Sequence, residues 1–192
     1  TEGSVSAAKR VLAYLKGTLE DGPEYSEEIE SSFRDTYECL LKKTTTVLPN
    51  VVAFPDADSG GDTVSLKSTS GSILYYRGVP VVWRSKLQSI RALSTTEAEY
   101  CAAYDTLNLF RAQGWVDWFD NQLPVYFVDN QSTIAVAQST VCTKRSKHYQ
   151  LRLHEVRDIV NQIHFVPTLI NRADALTKGG SHKSIFKAQD AD

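Results

Sequence analysis

Apolar residues recur along the chain in two different rhythms, and the points where one gives way to the other mark its elements. Val5, Ala8, Val11, Leu12 and Leu15 fall on one side of a helical wheel with Lys9, Arg10 and Lys16 elsewhere and Gly17 as a stop, so an amphipathic helix is predicted over 5–16. A second helix is predicted over 26–43, where Ile29, Phe33, Tyr37 and Leu40 repeat at helical spacing. Glu27, Glu28 and Glu30 open it and Lys42 and Lys43 close it, so both ends complement the helix dipole. Residues 44–50, ending in Pro49-Asn50, read as a linker into a main domain.

From Val51 onward short apolar runs take over. Val51-Val52-Ala53-Phe54 is of strand type, expected to stop at Pro55 and to deliver Asp56-Ala57-Asp58 at its C-terminal end. Strands over 72–76 and 79–83 flank Arg77-Gly78, a hairpin signal, and Trp83 has the bulk to anchor a sheet face. These three strands predict an antiparallel meander. Ser94 followed by Glu97 is a capping box that starts a helix, with Leu93, Ala98, Cys101, Ala102 and Leu109 on a narrow face suited to close packing on a sheet. That helix is expected to run on, broken at Gly114, through Trp115 and Trp118. Val125–Val128 is another buried-type strand and again ends on an acid, Asp129, with Asn130 or Ser132 capping the helix that follows. A long helix over 144–161, a strand over 163–166 and a final helix from Asn171 complete a mixed-sheet α/β layout.

Composition narrows the class without changing that layout. At 192 residues, 42% hydrophobic and 23% charged, the chain is sized for one core with additions, and disordered and membrane-spanning classes are disfavoured. The absence of Met, even at position 1, points to a fragment or a product processed from a larger precursor. Cys39, Cys101 and Cys142 show no paired spacing, which argues against zinc and disulfides and for a reducing compartment. A net charge of −2 exerts no global pull on nucleic acid, so any such contact must come from a local patch. Lys144, Arg145, Lys147, Arg152 and Arg157 supply one, which is either a solvated helix face or a track for a phosphate backbone.

The candidate chemistry lies in the acids. Asp56 and Asp129 at strand ends and Glu99 and Asp174 on helices could meet at the carboxyl edge of the sheet, where α/β proteins place ligands. Carboxylates so gathered repel unless cations neutralise them, and an all-oxygen ligand set selects Mg²⁺ or Mn²⁺. Two such ions about 4 Å apart can activate a water and stabilise a leaving oxygen in phosphodiester cleavage. Plainer readings stand beside this one. Asp56 and Asp129 can be turn residues, and Asp174 can be an acid in the first turn of a helix capped by Asn171. Asp58 is taken as a solvated neighbour, and His148 and His154 do not share a helical face as a metal pair would.

Residues 51–178 resemble the ribonuclease H domain of copia-type LTR retrotransposon polyproteins. The pieces that carry the resemblance, in order, are Asp56-Ala57-Asp58, Lys67-Ser68-Thr69-Ser70-Gly71, the segment from Trp83 to Ser89, the segment from Leu93 to Tyr100, Asp129-Asn130-Gln131-Ser132, Ser146-Lys147-His148 and the segment from Ala173 to Lys178. Ala7 to Gly17 is similar to the end of the reverse transcriptase portion of those polyproteins. The resemblance implies a ribonuclease H-like fold with a five-stranded mixed sheet flanked by helices, occupying 51–180, after a helical extension or connection segment over 1–50 and before a tail over 181–192. It implies Asp56, Glu99, Asp129 and Asp174 as catalytic ligands of two Mg²⁺ ions, with Mn²⁺ as a substitute, and Glu97 is left to the capping box. It further implies cleavage of the RNA strand of RNA:DNA hybrids, the 2′-OH marking that strand, with Lys144, Arg145, Lys147, His148 and Arg152 against the nucleic acid. The implied partners are the hybrid and the reverse transcriptase portion of the same polyprotein, in an intracellular setting, either a cytoplasmic virus-like particle or the nucleus. The chain departs from the family at Ser59-Gly60-Gly61, where Trp-Ala-Gly usually follows the first acid motif, and at Leu66, where an Arg is common. A catalytically degenerate nucleic-acid-binding or polymerase-connection module is the alternative these departures motivate.

Overall fold

The computed structural model describes residues 2–20, 22–41, 47–58, 60–62, 64–115, 123–139 and 150–178. Its elements in chain order are α1 (Glu2–Gly17), α2 (Glu27–Glu38), β1 (Val51–Ala57), β2 (Thr69–Tyr76), β3 (Val79–Leu87), α3 (Thr95–Ala112), β4 (Val125–Val128), α4 (Gln131–Gln138), α5 (Gln150–Arg157), β5 (Ile163–Phe165) and α6 (Asp174–Thr177). The five strands form one sheet in the order β3-β2-β1-β4-β5, so β1 lies at its centre. β1, β2 and β3 form the expected antiparallel meander, while β4 joins β1 and β5 joins β4 in parallel. Arg77 and Gly78 both take positive φ, 49° and 83°, as a two-residue type I′ hairpin turn requires.

Strand alternation sends β1 side chains to opposite faces, and each face is closed by different helices. On one, Val51, Ala53, Leu74, Tyr126, Val128 and Ile163 pack with Tyr100, Ala103, Leu107 and Phe110 of α3 and with Ile134, Ala137, Val156 and Ile159. On the other, Val52, Phe54, Ile73, Tyr75, Val125 and Phe127 pack with Phe33 and Tyr37 of α2 and with Val166 and Ala173 beside α6. The aromatic part of this second cluster is dense, with ring centroids 4.6 Å apart for Phe33 and Tyr37 and 5.5 Å for Phe54 and Phe127. The segment before β1 therefore divides in two. α2 is part of the core, whereas α1 leaves Val5, Val11, Leu12, Tyr14 and Leu15 exposed.

Several expected boundaries move. β1 runs through Pro55 to Ala57 rather than stopping at Phe54. A missing N–H is tolerable there because the ladder between β1 and β4 pairs only Val52 and Ala53 and does not reach Pro55. The helix expected over 144–161 stops at Arg157 where it is described, since Ile159 turns into the core and a 3₁₀ turn at 160–162 leads directly into β5. α2 ends at Glu38 rather than Lys43, and α3 ends before Gly114, whose φ of 67° breaks the helix; Trp118 lies outside the described residues. Leu93 precedes the α3 cap and is 76% exposed, so it is not on the packed face. Trp83 is 44% exposed on β3, an outer strand, and does not anchor the core.

Candidate metal centre

Continuing the β1–β4 register past Ala53 and Tyr126 brings Asp56 level with Asp129 at the carboxyl edge of the sheet. Glu99 arrives from the first turns of α3. The capping box fixes that helix start: Ser94 Oγ accepts from the Glu97 N–H at 3.2 Å, and the Glu97 carboxylate accepts from the Leu93 N–H at 2.8 Å. Glu97 is thereby occupied at the cap and Glu99 is free to face the strand ends. Gln88, buried just after β3, holds the same turn to the sheet by donating to Ser70 Oγ at 3.0 Å and to the Ala98 carbonyl at 2.9 Å.

Asp56, Glu99 and Asp129 each offer a carboxylate oxygen within 4.8 Å of the others, and this grouping stands out among the described residues. Asp56 and Glu99 are buried and Asp129 is half-buried. Burial, with the neighbouring carboxylates adding to it, pushes Glu99 up to about 9. Asp56 is pushed up to about 6, again chiefly by burial, with the Thr177 hydroxyl pulling the other way and Asp129 and Asp174 adding to the rise. Glu99 Oε2 is buried without a hydrogen-bond partner. A hard divalent cation fits these residues. It supplies the opposite charge that the cluster lacks and a partner for the orphaned oxygen, and the donor set is all oxygen.

Asp174, the first residue of α6, stands at one remove. Its Oδ1 is ion-paired with Lys178 one turn on, and this pairing is the main reason the Lys178 ammonium is held above its ordinary range. It still lies close enough for its charge to raise Asp56. The structure thus brings three of the four expected acids together and sets the fourth beside them with a cation of its own.

Asp56 is gripped from the α6 side. The Thr177 hydroxyl donates to Oδ2, and the buried Asn171 amide lies 3.4 Å from both Oδ1 and the Pro55 carbonyl. At Gly71, which pairs with Asp56 across β1 and β2, an added Cβ would meet Thr177 Cγ2 at 2.8 Å and the Ala173 carbonyl at 3.0 Å. A glycine there lets α6 come close enough for Thr177 to reach the carboxylate. Thr177→Val keeps the shape and removes the donor that favours ionised Asp56, so it is expected to weaken Mn²⁺ binding by about 10–100-fold, read by titration with the metal. Unchanged affinity would show that the hydroxyl does not tune the site.

Among the residues expected at nucleic acid, Lys144, Arg145, Lys147 and His148 lie outside the described residues. Arg152 is described, and its guanidinium lies 5.8 Å from the centroid of the Tyr104 ring on α3. Asp58 is not a loose neighbour, since its Oδ1 accepts from the Thr69 N–H and closes the loop between β1 and β2. In that loop Leu66 has φ of 56°.

A central β1, an antiparallel β2–β3 hairpin, parallel β4 and β5 and acids gathered at one sheet edge define a ribonuclease H-like fold. Comparison with solved structures gives the same result: ribonuclease H1 of Halobacterium salinarum superposes with a TM-score of 0.51 at 21% identity, covering 66% of this chain and 92% of that one. A ribonuclease H1 isolated from compost superposes equally, 0.51 at 19% identity, covering 66% and 91%. No protein-family model matches the sequence. In sequence, the chain is homologous over nearly its whole length to copia-type retrotransposon Pol polyproteins. It is 32% identical over 182 residues to the retrovirus-related Pol polyprotein of tobacco transposon TNT 1-94, which covers 90% of this chain and 12% of that polyprotein. It is also 32% identical over 189 residues to the Pol polyprotein of Arabidopsis thaliana transposon RE2, covering 93% and 12%. The chain therefore spans about an eighth of the length of the relatives it matches. No helix among the described residues is long and apolar enough to cross a membrane.

Proposed function

We propose that this chain is a metal-dependent endonuclease that cuts the RNA strand of RNA:DNA hybrids during retrotransposon reverse transcription. The observation that carries the reading is the buried convergence of Asp56, Glu99 and Asp129 at the sheet's carboxyl edge. Asp56, Glu99 and Asp129, with Asp174 beside them, would hold Mg²⁺, or Mn²⁺ in its place, as two ions. When bound, the ions supply an activated water and a charge partner for the leaving oxygen. The chain's own residues do the rest. Glu99 and Asp56 give up their protons to become ligands, Thr177 and Asn171 hold the Asp56 carboxylate in one orientation, and Gln88 fixes the α3 turn that carries Glu99. Arg152, with Lys144, Arg145, Lys147 and His148, tracks the phosphate backbone of the hybrid, and the reverse transcriptase portion of the same polyprotein presents it.

The Asp174–Lys178 ion pair favours a second reading, a catalytically silent module that binds hybrid or polymerase, because a cation fixed within the chain already satisfies the fourth acid. One experiment separates the two. The chain is incubated with an RNA:DNA hybrid, a DNA duplex and an RNA duplex, with Mg²⁺, with Mn²⁺ and with EDTA. Cleavage of the RNA strand of the hybrid alone, abolished by EDTA, is expected. Hybrid binding without cleavage at any Mg²⁺ or Mn²⁺ concentration would overturn the enzyme in favour of the silent module, and cutting of the DNA duplex would make it a nuclease of different specificity.

A further inference from the structure

We propose that Tyr37, on the helix that precedes the sheet, is a positioning residue for the Asp56 carboxylate and acts through the turn at Ile170–Ala173. The proposal rests on the metal-site reading above and extends it to a part of the chain the four acids do not touch. Tyr37 has no exposed surface, and its ring is wedged 5.0 Å from Phe54 and 5.2 Å from Phe127, centroid to centroid. A phenol so placed needs a partner for its hydroxyl, and both of its hydrogen-bonding functions go to one turn. It donates to the Ile170 carbonyl at 2.8 Å and accepts from Arg172 Nε at 2.8 Å. The Arg172 guanidinium also lies over the rings of Tyr37 and Tyr75, at 5.7 Å and 5.9 Å.

Between those two anchored residues stands Asn171, whose amide reaches Asp56 Oδ1 and the Pro55 carbonyl and whose oxygen accepts from the Ala173 N–H at 3.1 Å. The short 3₁₀ turn just before it buries nothing, and Leu169 is 80% exposed. Ile170 is only partly buried against the core and the turn carries no fully buried side chain, so the bonds that the Tyr37 hydroxyl makes on either side of Asn171 add the fixed point that sets its register. The platform under Tyr37 is firm. Arg34 of the same helix donates to the Leu48 carbonyl at 2.7 Å and to Asn50 Oδ1 at 3.2 Å just before β1, and Glu30 pairs with Arg77 of the β2–β3 turn at 2.7 Å. α2 is thereby tied to the start of β1 and to the hairpin, and its tyrosine transmits that placement to the far end of β1.

The test uses the full chain. Tyr37→Phe keeps the ring in its cluster and removes the hydroxyl; Mn²⁺ affinity is expected to fall about tenfold while far-UV circular dichroism stays that of the wild type. A merely structural role would lower the melting temperature without that loss. Coupling is then measured with Asn171→Ala: because Tyr37 acts through Asn171, the double variant is expected to bind Mn²⁺ no more weakly than Asn171→Ala alone. Arg172→Lys keeps the charge but not the Nε donor, gives an independent reading should Tyr37→Phe fold poorly, and is expected to weaken Mn²⁺ in the same direction. Tyr25→Phe, at an exposed tyrosine whose hydroxyl donates to the α2 acid Glu30 and whose ring lies under the Arg77 guanidinium, leaves the affinity unchanged. Wild-type affinity in both Tyr37→Phe and Arg172→Lys, or additive losses in the double variant, would overturn the relay and leave the metal site standing. Absence of Mn²⁺ binding by the wild type would overturn the metal site itself and the relay with it.

Discussion

Asp129→Asn is expected to cleave an RNA:DNA hybrid at least about 100–1,000-fold more slowly than the wild type at saturating Mg²⁺. A metal site supplies several kcal/mol of transition-state charge stabilisation, each 1.36 kcal/mol is a factor of ten, and removing one anionic ligand forfeits a large part of it. Asp129 is the right acid to change because it is half-buried at the end of β4 and its side chain makes no hydrogen bond among the described residues, while the strand beneath it is held by Tyr126, Phe127 and Val128. The amide occupies the same volume and lowers the repulsion among the acids, so the variant is expected to be folded and no less stable. Equal cleavage rates in the two proteins would remove Asp129 from the chemistry and with it the proposed site.

Glu99→Gln is expected to do two opposite things, ending metal-dependent cleavage and stabilising the metal-free protein. The carboxyl lies near its ordinary value of 4.5 in the unfolded chain and at about 9 in the folded one. With the folded value raised, its favourable contribution is fully present below about pH 4.5 and is lost as pH rises through about 9. At pH 7 the unfolded chain is already ionised while the folded one still holds the proton, which disfavours folding by up to about 3 kcal/mol relative to acid conditions. Glutamine carries no such penalty, so its melting temperature in EDTA is expected to exceed the wild type's by roughly 5–10 °C at pH 7, with the gap closing toward pH 5. Asp56 adds a smaller effect of the same sign between 3.8 and about 6. A difference between the two proteins that does not change with pH would show that Glu99 is not held protonated. The same proton must leave before a cation is bound, so wild-type Mn²⁺ affinity is expected to rise nearly tenfold per pH unit from about 6 to 9.

What the sequence disclosed about this site was its local part. Ser94 and Glu97 announce a helix start through contacts within one turn, and the apolar runs before Asp56 and Asp129 announce strands that end on acids. Both features survive in the folded chain, with Glu97 bonded at the cap and Glu99 near Asp56 and Asp129. The grip on Asp56 was not legible, because Thr177 and Asn171 reach it across more than half the chain and no periodic pattern encodes such a contact. Tyr37 reads in sequence as one more apolar position on a helix, and only the fold shows its hydroxyl at work 133 residues away, at Ile170. Pro55 misled for the opposite reason: the local rule ends a strand there, but the pairing of β1 with β4 stops at Ala53, so the proline breaks no bond of that ladder.

The exposed border of the sheet has its own consequence. β3 is an outer strand, and Val81, Trp83 and Leu87 along it are each more than a third exposed, a profile that invites pairing between copies. Pro80, Arg84 and Lys86 interrupt the same strand with a missing donor and two like charges. Replacing both Arg84 and Lys86, exposed on β3, by valine is expected to leave the core untouched and to promote pairing of copies along that rim, read as increased light scattering, so these two charges guard an edge where the core residues hold the fold.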